Sequence, residues 1–89
     1  MNRNVDLPEL ARFQEKMVLF GVEVQSYSRR IESCVADAES IMKDPPSKKS
    51  MEQTRQIAIR LNRAGARLEQ EAHELLTRTR REIERFESL

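Results

Sequence analysis

The sequence predicts an all-α protein, an antiparallel two-helix hairpin of the coiled-coil type that dimerises into a four-helix bundle. Charged residues make up 35% of the 89 residues and aromatic residues 4%, with two glycines and no tryptophan. This composition is typical of long solvated helices and unfavourable for sheets. Apolar residues also recur three and four positions apart along nearly the whole chain, and turn-forming residues cluster only once. We therefore expect a single domain over residues 1–89, with a helix over 7–43, a turn over 44–49 and a helix over 50–88.

The first helix is expected to begin near Leu7. Asp6 and Glu9 are three residues apart, the spacing of a helix N-cap and its acidic partner. Pro8 falls in the first helical turn, where the missing N–H of proline costs little.

The turn is expected where Asp44 is followed by two prolines, a serine and two lysines. Tandem prolines remove two backbone donors and push the residue before them out of the helical region. Ser50 and Gln53 have the spacing of a capping box, which predicts the start of the second helix at residue 50.

Each predicted helix carries a seam of residues with the three-four spacing of a left-handed coil. In the first helix the seam is Leu10, Phe13, Met17, Phe20, Val24, Tyr27, Ile31, Cys34, Ala38 and Ile41. In the second it is Met51, Thr54, Ala58, Leu61, Gly65, Leu68, Ala72, Leu75, Thr79, Glu82 and Phe86, with Ile83 beside Glu82. Folding back at the prolines aligns the seams when the numbers of paired residues add to 92. Large residues then face small ones, for example Phe20 against Ala72 and Tyr27 against Gly65.

A second apolar surface is predicted beside the seam, and we interpret it as a binding surface for another protein. Its predicted partner-binding residues are Val18, Val22, Val35, Met42, Ile59, Ala66, His73, Leu76 and Ile83. The expected partner is a second copy of the chain or a helical protein of another kind. The alternative is a monomer that tolerates scattered surface aliphatics. The other flank of the first helix, with Lys16, Glu23, Arg30 and Asp37, is expected to be solvated.

The sequence does not predict an enzyme. His73 is the sole histidine and is interpreted as an interface residue near Glu69. Cys34 is the sole cysteine and is interpreted as a small core residue. No catalytic site, metal, cofactor or small-molecule ligand is therefore expected.

Basic and acidic residues nearly balance, with sixteen lysines and arginines against fifteen aspartates and glutamates. The arginine stripe of Arg60, Arg63 and Arg67 has a spacing that could bind phosphate. Ion pairs along the second helix instead favour the interpretation that these arginines lie on a solvent-exposed face. We expect no nucleic-acid or membrane partner. The apolar run over 17–22 is too short to cross a bilayer and lies inside the chain, which predicts a cytoplasmic protein or one exported without a signal peptide.

Two long helices, a short central turn and a chain of about this length resemble the WXG100, or ESAT-6-like, proteins of type VII secretion. The Trp-x-Gly turn of that family would fall where this sequence has Asp44, Pro45, Pro46 and Ser47. Its Tyr-x-x-x-Asp/Glu export motif is absent, since Tyr27 is the sole tyrosine. The resemblance implies a dimeric helical bundle that is secreted or acts as an adaptor for a larger secreted protein.

Two other functions are compatible with the same pattern. The first is a cytosolic chaperone or adaptor that covers a helical segment of one client. The second is a self-assembling structural subunit.

Overall fold

The computed structural model describes residues 6–88, and within that range it contains two helices and no strand. Helix α1 spans Leu7–Glu39 and helix α2 spans Pro45–Glu87. The two helices pack against each other. The prediction of an all-helical fold is confirmed for the described residues. Residues 1–5 and 89, which the predicted domain includes, lie outside them.

The start of α1 follows the sequence-based prediction. Asp6 is the N-cap, and its side-chain carboxylate accepts a hydrogen bond from the backbone N–H of Glu9 at 3.0 Å. Pro8 lies in the first turn of the helix. The cap therefore satisfies one of the four N–H groups that a helix start leaves without a partner.

The turn between the helices lies earlier than predicted. Helix α1 ends at Glu39 instead of residue 43, and α2 begins at Pro45 instead of residue 50. The first N–H groups of a helix need no intrahelical acceptor, so Pro45 and Pro46 begin α2 instead of forming the turn. Asp44 has extended backbone angles, φ −73° and ψ 149°, and its carboxylate caps α2 by accepting from the Ser47 N–H at 3.0 Å.

The capping box predicted at Ser50 is wrong for the same reason. Ser50 lies inside α2, and its backbone carbonyl accepts a hydrogen bond from the Thr54 hydroxyl at 3.0 Å. Asp44, six residues earlier, has already supplied the cap.

Among residues 6–88, those that are buried between the helices are small and recur every seven positions. They are Gly21, Ser28 and Val35 in α1 and Ala58, Gly65 and Ala72 in α2. The predicted α2 seam is confirmed from Met51 to Thr79, whose members are buried or half-buried, whereas Glu82 and Phe86 are exposed and Ile83 is half-buried.

The predicted α1 seam is half wrong. Leu10, Met17, Val24, Ile31 and Ala38 are half-buried as expected, but Phe13, Phe20, Tyr27, Cys34 and Ile41 are exposed. The row of Gly21, Ser28 and Val35 takes their place at the centre of the contact. Small residues let the two backbones come close, which a central row of aromatic side chains would prevent. The predicted pairing of Phe20 with Ala72 and of Tyr27 with Gly65 is therefore wrong.

Gly21 and Gly65 lie at the point of backbone contact. A Cβ atom added to Gly21 would lie 2.7 Å from the carbonyl oxygen of Gly65 and 2.8 Å from the backbone nitrogen of Glu69. A Cβ atom added to Gly65 would lie 2.8 Å from the carbonyl oxygen of Gly21. Both positions therefore require glycine because a backbone, and not a mobile side chain, occupies the space.

Polar contacts between the helices define the antiparallel register. They join Gln14 to Leu76, Gln25 to Glu69 and Glu39 to Arg55. The numbers of these pairs add to 90, 94 and 94, so the predicted value of 92 is correct to within two residues.

The hairpin is a thin rod. Its principal extents are 67 × 21 × 15 Å and its radius of gyration is 20.1 Å, compared with about 13 Å for a compact domain of this size. Among the described residues, neither helix has a stretch that is long and apolar enough to cross a membrane.

Candidate protein-binding face

A row of large apolar side chains runs along the outside of α1. We call Phe13, Phe20, Tyr27, Cys34 and Ile41 the aromatic row; the first four are seven residues apart on α1 and therefore lie on one side of it, and Ile41 follows in the turn after the helix. Phe13 is 51% exposed, Phe20 53%, Tyr27 56% and Ile41 79%. Together with the half-buried apolar residues beside it on both helices, the row forms the surface that we call the aromatic face.

The aromatic face has an apolar groove near the turn, with a cavity volume of about 380 Å³. This turn groove is lined by Tyr27, Arg30, Ile31, Cys34, Val35, Ala38, Met51 and Thr54. The guanidinium carbon of Arg30 lies 5.5 Å from the centre of the Tyr27 ring, within the range of a cation–π contact. The groove therefore has an aliphatic floor and one charged edge.

A second groove lies on the same face, farther from the turn, with a cavity volume of about 220 Å³. This distal groove is lined by Phe13, Met17, Leu68, Glu71, Ala72, Leu75 and Arg78. The Arg78 guanidinium donates to the carboxylates of Glu74, at 2.8 Å, and Glu71, at 2.6 Å. These hydrogen bonds, from Glu74 first and then Glu71, raise the pKa of Arg78, so the groove has a fixed charged rim.

A second row of charges borders the aromatic row on α1. Lys16, Glu23, Arg30 and Asp37 each follow a member of the aromatic row by three residues and so lie next to it on the helix surface. All four are exposed, as predicted, and within residues 6–88 none of them forms an intrachain ion pair. Their charges alternate in sign along the helix and are available to another molecule.

The predicted partner-binding residues lie mainly on the other side of the contact between the helices. Val18, Ile59, Leu76 and Ile83 are half-buried there, and Val22, Met42, Ala66 and His73 are exposed. Val35 is the exception: it is only 3% exposed, belongs to the core, and faces the turn groove instead of the other side. The role of the other eight residues as partner contacts stays a prediction.

The helix contact on this other side is partly polar. The Gln25 side-chain amide donates to the carboxylate of Glu69 at 2.8 Å, and the side-chain oxygen of Gln14 accepts from the Leu76 N–H at 2.8 Å. Nearer the turn, Arg55 forms an ion pair with Glu39. These groups use their hydrogen-bonding capacity within the chain, so polar contacts bridge the two helices on this side.

His73 and Cys34 are both on the surface. Nε2 of His73 lies 3.8 Å from the Glu69 carboxylate, and the His73 side chain is 58% exposed. Cys34 is exposed in the turn groove, so its predicted place in the core is wrong. The other members of the aromatic row also lie on the surface instead of in the core, because the row of Gly21, Ser28 and Val35 packs against α2 in their place.

Within residues 6–88, three arginines of α2 form ion pairs along that helix: Arg55 with Glu52, Arg78 with Glu71 and Glu74, and Arg85 with Glu82. The arginine stripe of Arg60, Arg63 and Arg67 takes part in none of the ion pairs found within residues 6–88. Among the described residues, no cluster of three histidine, cysteine or acidic side chains has the arrangement of a metal site.

The comparisons with known protein families, with characterised proteins and with solved structures found no match. The aromatic face is therefore interpreted from its own chemistry.

Proposed function

We propose that the chain is a non-catalytic helical module that binds a helical surface of a protein through its aromatic face. The observation that carries this proposal is the exposure of Phe13, Phe20 and Tyr27, each above one half, along one side of α1. Soluble monomers rarely leave a contiguous apolar surface of this kind in water. Aromatic residues are also enriched in protein interfaces relative to the rest of the protein surface.

A helix is the occupant that fits best. The two grooves lie on one face and follow the rod axis, so side chains projecting from a partner helix at successive turns can enter both. Burying two phenylalanines and a tyrosine removes the largest apolar groups from water and supplies the binding free energy.

Cys34 provides a direct test because it is the sole cysteine and lies in the turn groove. We expect a maleimide to alkylate Cys34 several-fold more slowly in expressing cells than in the purified chain at nanomolar concentration, because bound protein covers the groove. Ser33→Cys in a Cys34→Ser background is the matched control, since Ser33 is exposed and outside both grooves. Equal Cys34 rates in the two settings would contradict the proposal.

Single charge insertions identify the binding face. Phe20→Asp should remove the protection of Cys34, whereas Leu19→Asp should preserve it, since Leu19 is 58% exposed but outside the aromatic row. Val22→Asp tests the other side, on which the sequence-based binding surface lies. Loss of protection in Val22→Asp but not in Phe20→Asp would contradict binding through the aromatic row.

The resemblance to WXG100 proteins extends the proposal to export through a type VII system, with the chain as secreted partner or adaptor. The two-helix architecture is compatible with this role, although it is common to many unrelated hairpins. Secretion is tested by measuring the chain in the medium of cells with an active or an inactivated type VII system. A chain that is retained in both kinds of cell favours a cytosolic adaptor or chaperone. Formation of filaments in concentrated solution favours a structural subunit.

A further inference from the structure

We infer that the occupant of the aromatic face is a second copy of the chain, related by a two-fold axis near Tyr27, with each α1 antiparallel to its counterpart. This inference rests on the proposed function and names the partner of the same face. The supporting observations are the exposed area, the alternating charges, and the match between projecting side chains and grooves.

The exposed area is sufficient for a stable dimer. The chain exposes 7037 Å², whereas a compact monomer of 10.4 kDa exposes about 5,400 Å². In the proposed arrangement the α1 helices overlap over about 39 Å, on a rod 21 Å wide. The contact then covers about 800 Å² on each copy, which is the size of a standard interface.

The charge row of α1 is complementary to an antiparallel copy of itself. Lys16, Glu23, Arg30 and Asp37 alternate in sign at intervals of seven residues. A two-fold axis midway between Glu23 and Arg30 lies beside Tyr27. It places Glu23 of each copy opposite Arg30 of the other copy. An axis midway between Lys16 and Glu23 also pairs opposite charges, whereas an axis at Glu23 pairs like charges and is unfavourable.

Helix α2 distinguishes between the two favourable axes. Through the register of the hairpin, the axis beside Tyr27 brings Arg60 near Glu71 of the second copy. The axis beside Phe20 instead brings Arg67 near Arg78 of the second copy, a guanidinium whose ion pairs with Glu71 and Glu74 are already formed, so no new pair of opposite charges stands at that level. The first arrangement therefore pairs opposite charges on both helices.

The same axis places projecting side chains over grooves. Phe20, which is 53% exposed, lies opposite Cys34 of the second copy and so enters its turn groove. Ile41, which is 79% exposed in the turn directly after α1, comes to the level of Phe13 and the distal groove of the second copy. Because the axis is two-fold, each contact occurs twice.

The first test measures the molecular mass of the chain in solution and compares it with that of variants in which charges at Glu23 and Arg30 are reversed. By light scattering after size exclusion at micromolar concentration, we expect a dimer. Glu23→Arg alone and Arg30→Glu alone should each raise the dissociation constant about tenfold, since each creates two like-charged pairs. The double variant with both changes should recover the original value. A double variant no tighter than the single variants would overturn the inference.

The second test is the distance between spin labels on the two copies, at Ser26→Cys or Ser33→Cys in a Cys34→Ser background. The labels at 26 should be offset along the rod by about 2 Å and those at 33 by about 20 Å, so the second distance should be clearly longer. Equal distances at both positions indicate copies with their turns at the same end and would overturn the inference.

The proposed function and this inference fail in different ways. A chain that stays monomeric at high micromolar concentration, while Cys34 is protected in cells, has a different protein on its aromatic face. In that case the inference is wrong and the proposed function stands. Unprotected Cys34 in cells together with a monomer in solution contradicts both.

Discussion

Gly21 and Gly65 set the distance between the helices, because each presents its backbone to that of the other. Gly21→Ala would normally stabilise a helix interior by about 1 kcal/mol. Here the new Cβ would meet the Gly65 carbonyl oxygen at 2.7 Å, and the helices must separate. We expect the free energy of unfolding to fall by about 1–3 kcal/mol, measured by thermal circular dichroism at fixed protein concentration.

The reverse substitution at an exposed site provides the control for Gly21→Ala. Ala36 is exposed on α1, so Ala36→Gly reports helix propensity alone. An increase in stability in Gly21→Ala, equal in size to the loss in Ala36→Gly, would show that the backbones are not in contact.

Ser28 is a second residue whose burial has a measurable consequence. It is 0% exposed, and its hydroxyl oxygen has no hydrogen-bond partner within the described residues. Burying a polar group without a partner costs free energy, and alanine removes that group while keeping the small volume. We expect Ser28→Ala to raise the free energy of unfolding by about 1 kcal/mol more than Ser33→Ala, whose exposed site corrects for helix propensity. Equal effects in chemical denaturation of the two variants would indicate that the Ser28 hydroxyl is hydrogen-bonded in solution.

At the scale of the helices, the sequence predicts more of α2 than of α1. In α2 the apolar and small residues form a single seam, and its burial agrees with the structure from Met51 to Thr79. In α1 two seams share Leu10, Met17, Val24, Ile31 and Ala38, and periodicity alone does not choose between the aromatic row and the row of Gly21, Ser28 and Val35. The choice depends on close backbone approach, a tertiary effect that hydrophobic spacing does not record.

The aromatic face was missed for the same reason. Placing Phe13, Phe20 and Tyr27 in the core moved the expected binding surface to the other side of the hairpin. The signal that could have found it is the seven-residue spacing of Gly21 and Ser28 in α1 and of Ala58, Gly65 and Ala72 in α2. Small residues at matching positions of two helices indicate a close contact.

The N-cap of α2 makes the stability of that helix depend on pH. Hydrogen bonds from Ser47 lower the pKa of Asp44 below its ordinary value of 3.8. A carboxylate with a lowered folded-state pKa stabilises the fold above its unfolded pKa, and this contribution is lost as the pH falls through the folded value. We therefore expect the melting temperature of the wild type, relative to Asp44→Asn, to fall as the pH drops below 3.8.

Asp44→Asn is the matched variant because asparagine caps a helix without titrating in this range. All other carboxylates are common to both proteins, so the difference between the two melting temperatures isolates Asp44. A difference that stays constant from pH 6 to pH 2 would contradict the role of the charged cap.

At the scale of the whole molecule, the rod has too little core to fold with the stability of a compact domain. Within residues 6–88, its six buried residues are two glycines, two alanines, a serine and a valine. Side chains this small contribute little apolar burial, whereas the larger apolar groups stay partly in water until another surface covers them. Association is therefore expected to contribute to folding.

Coupling of association to folding makes the melting temperature depend on protein concentration. For a dimer that dissociates on unfolding, each tenfold rise in concentration stabilises a chain by about 0.7 kcal/mol, so calorimetry between 5 and about 500 micromolar should show a steady increase. Phe20→Asp should melt at a lower temperature that does not change with concentration, since Phe20 lies on the aromatic face and not in the core. Leu19→Asp should retain the concentration dependence of the wild type. A wild-type melting temperature that is constant over this range would show that the hairpin folds as a monomer, with the aromatic face left to a different partner.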